Sequence, residues 1–573
     1  MATAACVRLR LDEFSPPGPQ VISITLAQDG PMQTRRSGAA QVKWSSISVI
    51  TLIAVAIFFA GIGANPRQLG AAPKPKSAKP KSTRKVANSS LQTVQPLSVT
   101  SAFAMGWGYN FLFTTASGSP TSAGTDAIAL DSAGNTIIAF NAYGIGNLDP
   151  AQSPAGAFQN TAGGHKAGFA KYDPSGNFLW MVPMISTGVS YARGIAVGPV
   201  SGDLYVVGDF AGACSFTTSA GTTLTVGTST TPRTGFVARV EPSSGRIVWM
   251  DTTTINIGSQ TCIFQYVACD AAENVYVTGS ILGNCISTID SGYGSGAAGL
   301  PLVVDNSASS STTGCFVKFD KNGNGNWLRM GPATIAIKFQ FSVDGPGNLY
   351  FTGYFSGTQD FDFSSATHNV TAIGSQDAFL EKLDPSGNFV WVKQFGQAAS
   401  KPKGKNSIPA GTYYGAATGA DGNGNIDFSL TGSNLTTVTA YGLTGNLFQF
   451  DTNGNARWAA SVSGTATLFV HTPFPFCLDG ANDVYLGAFG VANEFSPSGT
   501  QVQSVPFHAG TQVDHCAADA GGNFVWGGYA VDGTGSTNVT GQANVSPTST
   551  PYWVPAWTGS GFSSVLVVRW NRQ

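Results

Sequence analysis

Charge is scarce in this chain. Asp, Glu, Lys and Arg make up 11% of its 573 residues, against roughly 25% in an ordinary soluble domain. Helix signals are nearly absent after residue 65, which excludes helical bundles and alternating α/β folds for most of the chain. No CxxC pair occurs, so zinc is not indicated. The five histidines, His165, His368, His471, His508 and His515, form neither HExxH nor another ligand spacing. There is no GxSxG, no phosphate-binding loop and no GxGxxG in a βαβ setting. The reaction classes that a local motif announces are therefore missing. His515 precedes a strand and is placed to face the centre of the fold, although a satisfied structural histidine is the plainer reading.

What is present is a repeat. Residues 377–396, DAFLEKLDPSGNFVWVKQFG, read as strand, turn, strand. Asp384-Pro385-Ser386-Gly387-Asn388 is turn chemistry: proline presets φ, and glycine takes the left-handed position of a bulged hairpin. The return strand carries Trp391 as its large anchor. Asp173 and Trp180, Asp320 and Trp327, Asp384 and Trp391, and Asp451 and Trp458 all stand seven residues apart, with Glu241 and Trp249 one further. Five of eleven tryptophans thus share an offset from a turn, too many for chance.

A second unit precedes each copy: Asp-x-x-Gly-Asn, then Tyr-Val-Thr-Gly or a variant. It occurs at 131–140, 202–208, 270–279, 344–353, 421–432, 479–487 and 519–527. Two hairpins make a four-stranded antiparallel sheet. Seven such sheets, at a period of roughly 60–70 residues, predict an all-β, seven-bladed β-propeller. The period exceeds the usual ~40–50, and the surplus is assigned to Gly/Ser/Thr-rich loops such as 283–314. The seventh unit ends at 564–570, SVLVVRW, without a return strand. Residues 107–115, WGYNFLFTT, are the candidate to complete it, an N-/C-terminal strand closure that hides both sheet edges.

These residues, DAFLEKLDPSGNFVWVKQFG and the Asp-x-x-Gly-Asn-x-Tyr-x-Thr-Gly half, resemble the bacterial β-propeller repeat family of exported and surface proteins. The resemblance spans roughly residues 106–570. Copy six, 491–502, lacks its tryptophan, and copy two has Glu241 in place of Asp. The resemblance implies a propeller outside the cytoplasm and no settled activity. The Asp/Glu-to-Trp spacing also resembles the tryptophan-docking repeat of quinone-cofactor propellers. Those imply eight blades and a vicinal cysteine pair; neither is read here, so no cofactor is expected.

Residues 1–95 carry 12 Lys/Arg against 3 Asp/Glu, which leaves 18 against 28 of the totals of 30 and 31 for the remainder. A mildly acidic propeller argues against a nucleic-acid partner. Residues 1–43 are polar and read as a disordered cytoplasmic tail. Residues 44–66 contain no charge and are long enough for one transmembrane helix, with Trp44 at an interface; a cleaved signal sequence is the rival reading. Residues 67–100 form a basic Pro/Lys/Ser-rich linker that proline stiffens and like charges extend. Positive charge flanks the span on both sides and more heavily after it. The positive-inside rule alone would hold the propeller in the cytoplasm, but large domains translocate against flanking charge and the family resemblance points outward. The propeller proper is assigned to 101–573.

Asp421, Asn423, Asn425 and Asp427 place oxygen ligands at alternate positions, as a structural calcium loop does. The glycine at position six and the acid at position twelve are absent, and every other repeat simply turns there. Asp320, Asn322, Asn324 and Asn326 offer the same choice. Seven of the eight cysteines fall in the propeller, four of them between Cys262 and Cys315. A disulfide such as Cys285 with Cys315 competes with small buried hydrophobes. The expected function is a membrane-anchored, extracytoplasmic module that binds or scaffolds surface protein or polysaccharide. A glycan-active enzyme using channel residues and a purely structural surface protein are the alternatives. The repeats imply no oligomeric state.

Overall fold

The computed structural model describes residues 103–573 apart from loop segments, the longest of which are 294–301, 306–312, 332–340, 400–410, 463–474, 531–541 and 556–563. The tail, the expected membrane span, the linker, Cys285, His471, His508 and the basic loop of Lys401, Lys403 and Lys405 lie outside the described residues. Among the described residues no helix is long and apolar enough to cross a membrane.

Seven four-stranded antiparallel sheets follow one another. Blade 1 is Ala123–Leu130, Thr136–Ala142, Lys166–Tyr172 and Phe178–Ser186 from inner to outer strand. Blade 2 runs from Ser190–Val197 to Ile247–Ile257, blade 3 from Thr261–Cys269 to Gly325–Met330, and blade 4 from Phe341–Val343 to Phe389–Phe395. Blade 5 runs from Tyr413–Ala420 to Ala456–Ala460 and blade 6 from Phe476–Leu478 to Gln501–Pro506. Each inner strand lies against the next, and that of blade 7 lies against that of blade 1, so the ring closes. Blade 7 is Thr511–Ala518, Phe524–Ala530, Val565–Arg572 and, as its outer strand, Phe103–Phe111. The closing strand begins four residues earlier than its sequence pattern suggests and pairs from Phe103↔Arg572 to Phe111↔Val565.

The tryptophan offset has a physical cause. The indole N–H of Trp180 donates to the carbonyl of Pro242 at 3.1 Å, that of Trp249 to Lys321 at 2.9 Å, and that of Trp327 to Pro385 at 3.0 Å. Trp391 donates to Thr452 at 3.2 Å, Trp458 to Pro497 at 3.0 Å and Trp107 to Pro174 at 3.2 Å. Every acceptor is the residue after the acid or serine that opens the turn of the following blade. The turn glycine makes room: Gly387 has φ +76°, and a Cβ there would stand 3.1 Å from the Trp327 ring. Glycine therefore meets a backbone need and a close approach together. Beside each docking indole a cation often serves the same carbonyl: Lys171, Lys318 and Lys382 donate to Pro242, Pro385 and Thr452 at 2.9, 3.0 and 2.9 Å.

Blade 6 lacks its tryptophan for the same reason. The third and outer strands of blade 7 come from opposite parts of the chain, so no turn joins them and no turn carbonyl awaits an indole. Gln503 occupies the tryptophan position, opposite Glu494. Arg572 of blade 7 reaches back instead, with its guanidinium 2.8 Å from Glu494, 3.2 Å from Asp483, 3.3 Å from Asp479 and 3.1 Å from the Tyr485 hydroxyl.

The surplus residues are not all loop. In blades 1 to 5 and 7 the link between second and third strands carries a two-stranded ribbon, and in blade 6 Val484–Ala488 turns directly into Val491–Phe495. Within 283–314, Ile286–Tyr293 and Leu302–Asp305 pair with each other, and the first adds to the outer strand of blade 2. Cys214–Thr217 likewise adds to the outer strand of blade 1. Such ribbons cover outer edges that would otherwise offer unpaired N–H and C=O groups.

Candidate functional site

Seven inner strands surround one channel, and five of them share a defect. The ladder skips Asp126 in blade 1, Arg193 in blade 2, Gln265 in blade 3, Ala416 in blade 5 and Asp514 in blade 7. Each is a β-bulge, where two residues face one and a side chain is re-aimed. Every bulged residue precedes the first residue of its turn by five positions. Asp514, Asp126, Arg193 and Gln265 come from consecutive blades, so the polar groups occupy one sector of the wall. Phe341 and Phe476 line the opposite side.

Asp126, Arg193, Tyr266 and His515 line a cavity of roughly 190 Å³ within the channel. Binding pockets for small organic ligands measure about 300–1,000 Å³, so this one holds water or a small group. Arg193 and Arg233 both grip the fully buried carboxylate of Asp209. Their guanidiniums also lie over the Tyr191 ring, 5.0 and 4.6 Å from its centre. Two cations on one anion leave a positive excess beside the two channel acids.

Asp126 keeps part of its surface towards the channel while protein packs around the rest. Burial pushes its carboxyl up to about 7; Arg193 opposes this, and Asp514 and Asp209 add to it. At neutral pH the group both holds and releases a proton. Burial pushes His515 down to about 4, so its ring is neutral there, and pushes the Tyr266 phenol up to about 12. The site can therefore exchange a proton at Asp126 and present a positive edge at Arg193 and Arg233.

His515 lines the channel, as expected, but from within the strand Thr511–Ala518 rather than ahead of a strand. His165 and His368 do not line it; they lie against the Tyr191 and Phe389 rings. The alternating oxygens of the calcium-like loop serve a turn. Asp421 accepts the N–H of Asn423 at 2.8 Å and of Asn425 at 2.7 Å on one oxygen, and the Asn425 side-chain amide at 2.8 Å on the other. Asp131, Asp173, Asp320, Asp384 and Asp451 hold their turns by the same three bonds. Asp427 lies in the strand beyond, fully buried, and accepts the Gln449 amide at 3.0 Å; burial pushes it up to about 8. Among the described residues no three His, Cys, Asp or Glu side chains converge as a metal site would need.

Sequence reasoning missed Asp126, Arg193, Asp209 and Asp514. A signal existed for Asp126, Arg193 and Asp514: with the repeats aligned on their turns, charge enters the inner strands only at the fifth residue before the turn; Asp209 lies in the second strand of blade 2 and had none. A second cavity, of about 430 Å³, lies at the edge of blade 1 between Ala157–Asn160 and Phe178–Ser186. It is chiefly apolar, with Lys166 as its titratable lining group, and carries less chemistry.

No family model matches the chain. It is 25% identical over 235 residues to an uncharacterized WD repeat-containing protein of Acanthamoeba polyphaga mimivirus, a match covering 35% of this chain and 17% of that protein. The chain thus spans about a sixth of that relative. The Dos1 propeller is 9% identical with a TM-score of 0.35, over 82% of this chain and 96% of its own. The WD40 propeller domain of Doa1 is 10% identical with a TM-score of 0.32, over 82% and 98%. Virginiamycin B lyase from Staphylococcus aureus is 8% identical with a TM-score of 0.31, over 68% and 98%.

Proposed function

We propose that this protein is a membrane-anchored, extracytoplasmic β-propeller that binds or scaffolds protein or glycan, using the charged sector of its channel mouth as the contact surface. One observation carries the reading: Asp126, Asp514, Arg193, Asp209 and Arg233 gather on neighbouring blades, while the cavity that Asp126 and Arg193 line is only roughly 190 Å³. A partner therefore docks on the mouth, with at most a small group entering. The uncharged stretch 44–66 supports the anchor, and the resemblance to exported bacterial propeller repeats supports the outward side.

Pull-down from surface extracts and a glycan array test the reading, with wild type beside Asp126→Asn and Arg233→Gln variants that stay folded, as a cooperative melting transition shows. The expected result is a partner whose binding drops at least tenfold in one variant. A blank across broad panels, or equal binding by all three proteins, overturns it. Protease accessibility on intact cells tests the side of the membrane. A second reading rests on the proton held by Asp126 at neutral pH: acid–base chemistry on a glycan group that enters the channel. It requires that Asp126→Asn abolish turnover while binding persists.

A further inference from the structure

The seam between blades 6 and 7 carries a cysteine pair. Cys477 sits in the inner strand Phe476–Leu478 of blade 6, and Cys516 in the inner strand Thr511–Ala518 of blade 7. The two strands belong to different sheets and share no ladder hydrogen bonds. Their sulfurs nevertheless stand 2.8 Å apart, so the backbones already bring the thiols within reach of one another. Disulfide formation draws sulfurs to about 2.05 Å, a shift that small χ rotations supply. At the same repeat position as Cys516, the other blades place Ile128, Ile195, Val267, Phe341, Thr418 and Phe476 in the channel wall.

We propose that Cys477 and Cys516 form a redox-active pair whose disulfide clasps blade 6 to blade 7, and that small disulfide reagents reach it through the channel. Cys516 lines the channel cavity, which gives the route. The seam is also where a clasp has most to do. Among the described residues it is the one blade junction without a tryptophan docked on a turn carbonyl; Arg572 and the packing of Tyr485 on Phe103 and Phe524 span it instead. Cys262 and Cys315 supply the contrast. They also touch, but both lie within blade 3 and are shut off from solvent, at 0% and 1% exposure.

The reaction balances as thiol–disulfide exchange. The Cys516 thiolate attacks a sulfur of bis(2-hydroxyethyl) disulfide, forming a mixed disulfide and releasing one 2-mercaptoethanol thiolate. The Cys477 thiolate then attacks the Cys516 sulfur and releases the second. The protein loses two electrons and two protons, and one bis(2-hydroxyethyl) disulfide becomes two molecules of 2-mercaptoethanol.

The test uses the full-length chain, first reduced, then incubated folded with bis(2-hydroxyethyl) disulfide. It is next alkylated in denaturant and digested for peptide mass spectrometry. The expected result is a cross-linked peptide pair containing Cys477 and Cys516, with Cys262 and Cys315 alkylated. A Cys477→Ser variant should keep one mercaptoethanol group on Cys516. Recovery of both Cys477 and Cys516 alkylated from the wild type overturns the proposal. So does a persistent mercaptoethanol adduct on wild-type Cys516, or oxidation of Cys262 with Cys315 in preference.

Discussion

Replacing Arg572 with methionine tests the account of the closing seam. The change keeps a long apolar stem and removes the one cation that, among the described residues, pairs with Asp479, Asp483 and Glu494. Asp479 and Glu494 have side chains 1% exposed and Asp483 12%, while Arg572 itself is 30% exposed. Removing one partner of a buried pair costs about 3–5 kcal/mol. The partial exposure of the guanidinium lowers that to about 2–3 kcal/mol. With an unfolding entropy of about 2 cal/mol/K per residue over the propeller, the melting temperature should fall by about 2–3 °C near pH 8. Burial raises the carboxyls of Glu494 and Asp483, and Arg572 counteracts it. Without Arg572 both rise further above their unfolded values. A raised acid penalises the folded state above its unfolded pKa, and the penalty vanishes below it, where both states are protonated. The deficit should therefore be largest near pH 8 and shrink towards pH 4. Scanning calorimetry across that range is the assay, with Arg572→Lys expected to fall between the two. A deficit below about 0.5 °C near pH 8, or one that grows on acidification, refutes the reasoning.

Four further outcomes follow from the geometry. Trp391→Phe keeps an aromatic ring but removes the 3.2 Å bond to Thr452; a loss of about 1 kcal/mol is expected in chemical denaturation, and no loss would mean the docking bond is idle. Asp126→Asn should stabilise the protein at neutral pH and not near pH 4. Its carboxyl sits at about 7 against 3.8 when free, so the folded state resists ionisation between those values by at most about 4 kcal/mol, and a pH-independent difference would sink this assignment. Glu381 is fully buried, and neither carboxylate oxygen has a partner; the equivalent positions in blades 1, 2, 3 and 5 hold Ala170, Ala238, Val317 and Phe448. Glu381→Leu should therefore raise stability by about 1–3 kcal/mol in urea melts, and a destabilised variant would show that Glu381 has a task. A chelator should leave the melting temperature unmoved, since the Asp421 carboxylate already accepts three N–H groups; a drop restored by calcium would reinstate a cation there.

The sequence by itself determined the local units and their number. Turn chemistry at Asp384–Asn388 and its copies is a matter of a few neighbouring residues, so it can be read without the fold. The docking tryptophans were legible as an offset because each indole meets the same part of the same turn, one blade on. An N-terminal strand was legible as the missing edge because a blade without a fourth strand leaves its ladder open; the sequence pattern places it at 107–115, and the pairing with 565–572 sets it at 103–111. Tertiary structure alone decided what those parts do together. Asp126, Arg193 and Asp514 are far apart in the chain and become neighbours only when seven inner strands converge on one axis. The absent tryptophan of blade 6 looks like repeat decay until Arg572 is seen beside it and blade 7 is seen to have no turn between its third and outer strands. Ribbons hidden in 283–314 were unreadable because their partner strand belongs to another blade. Contacts between blades obey the geometry of ring closure, and no window of neighbouring residues contains that geometry.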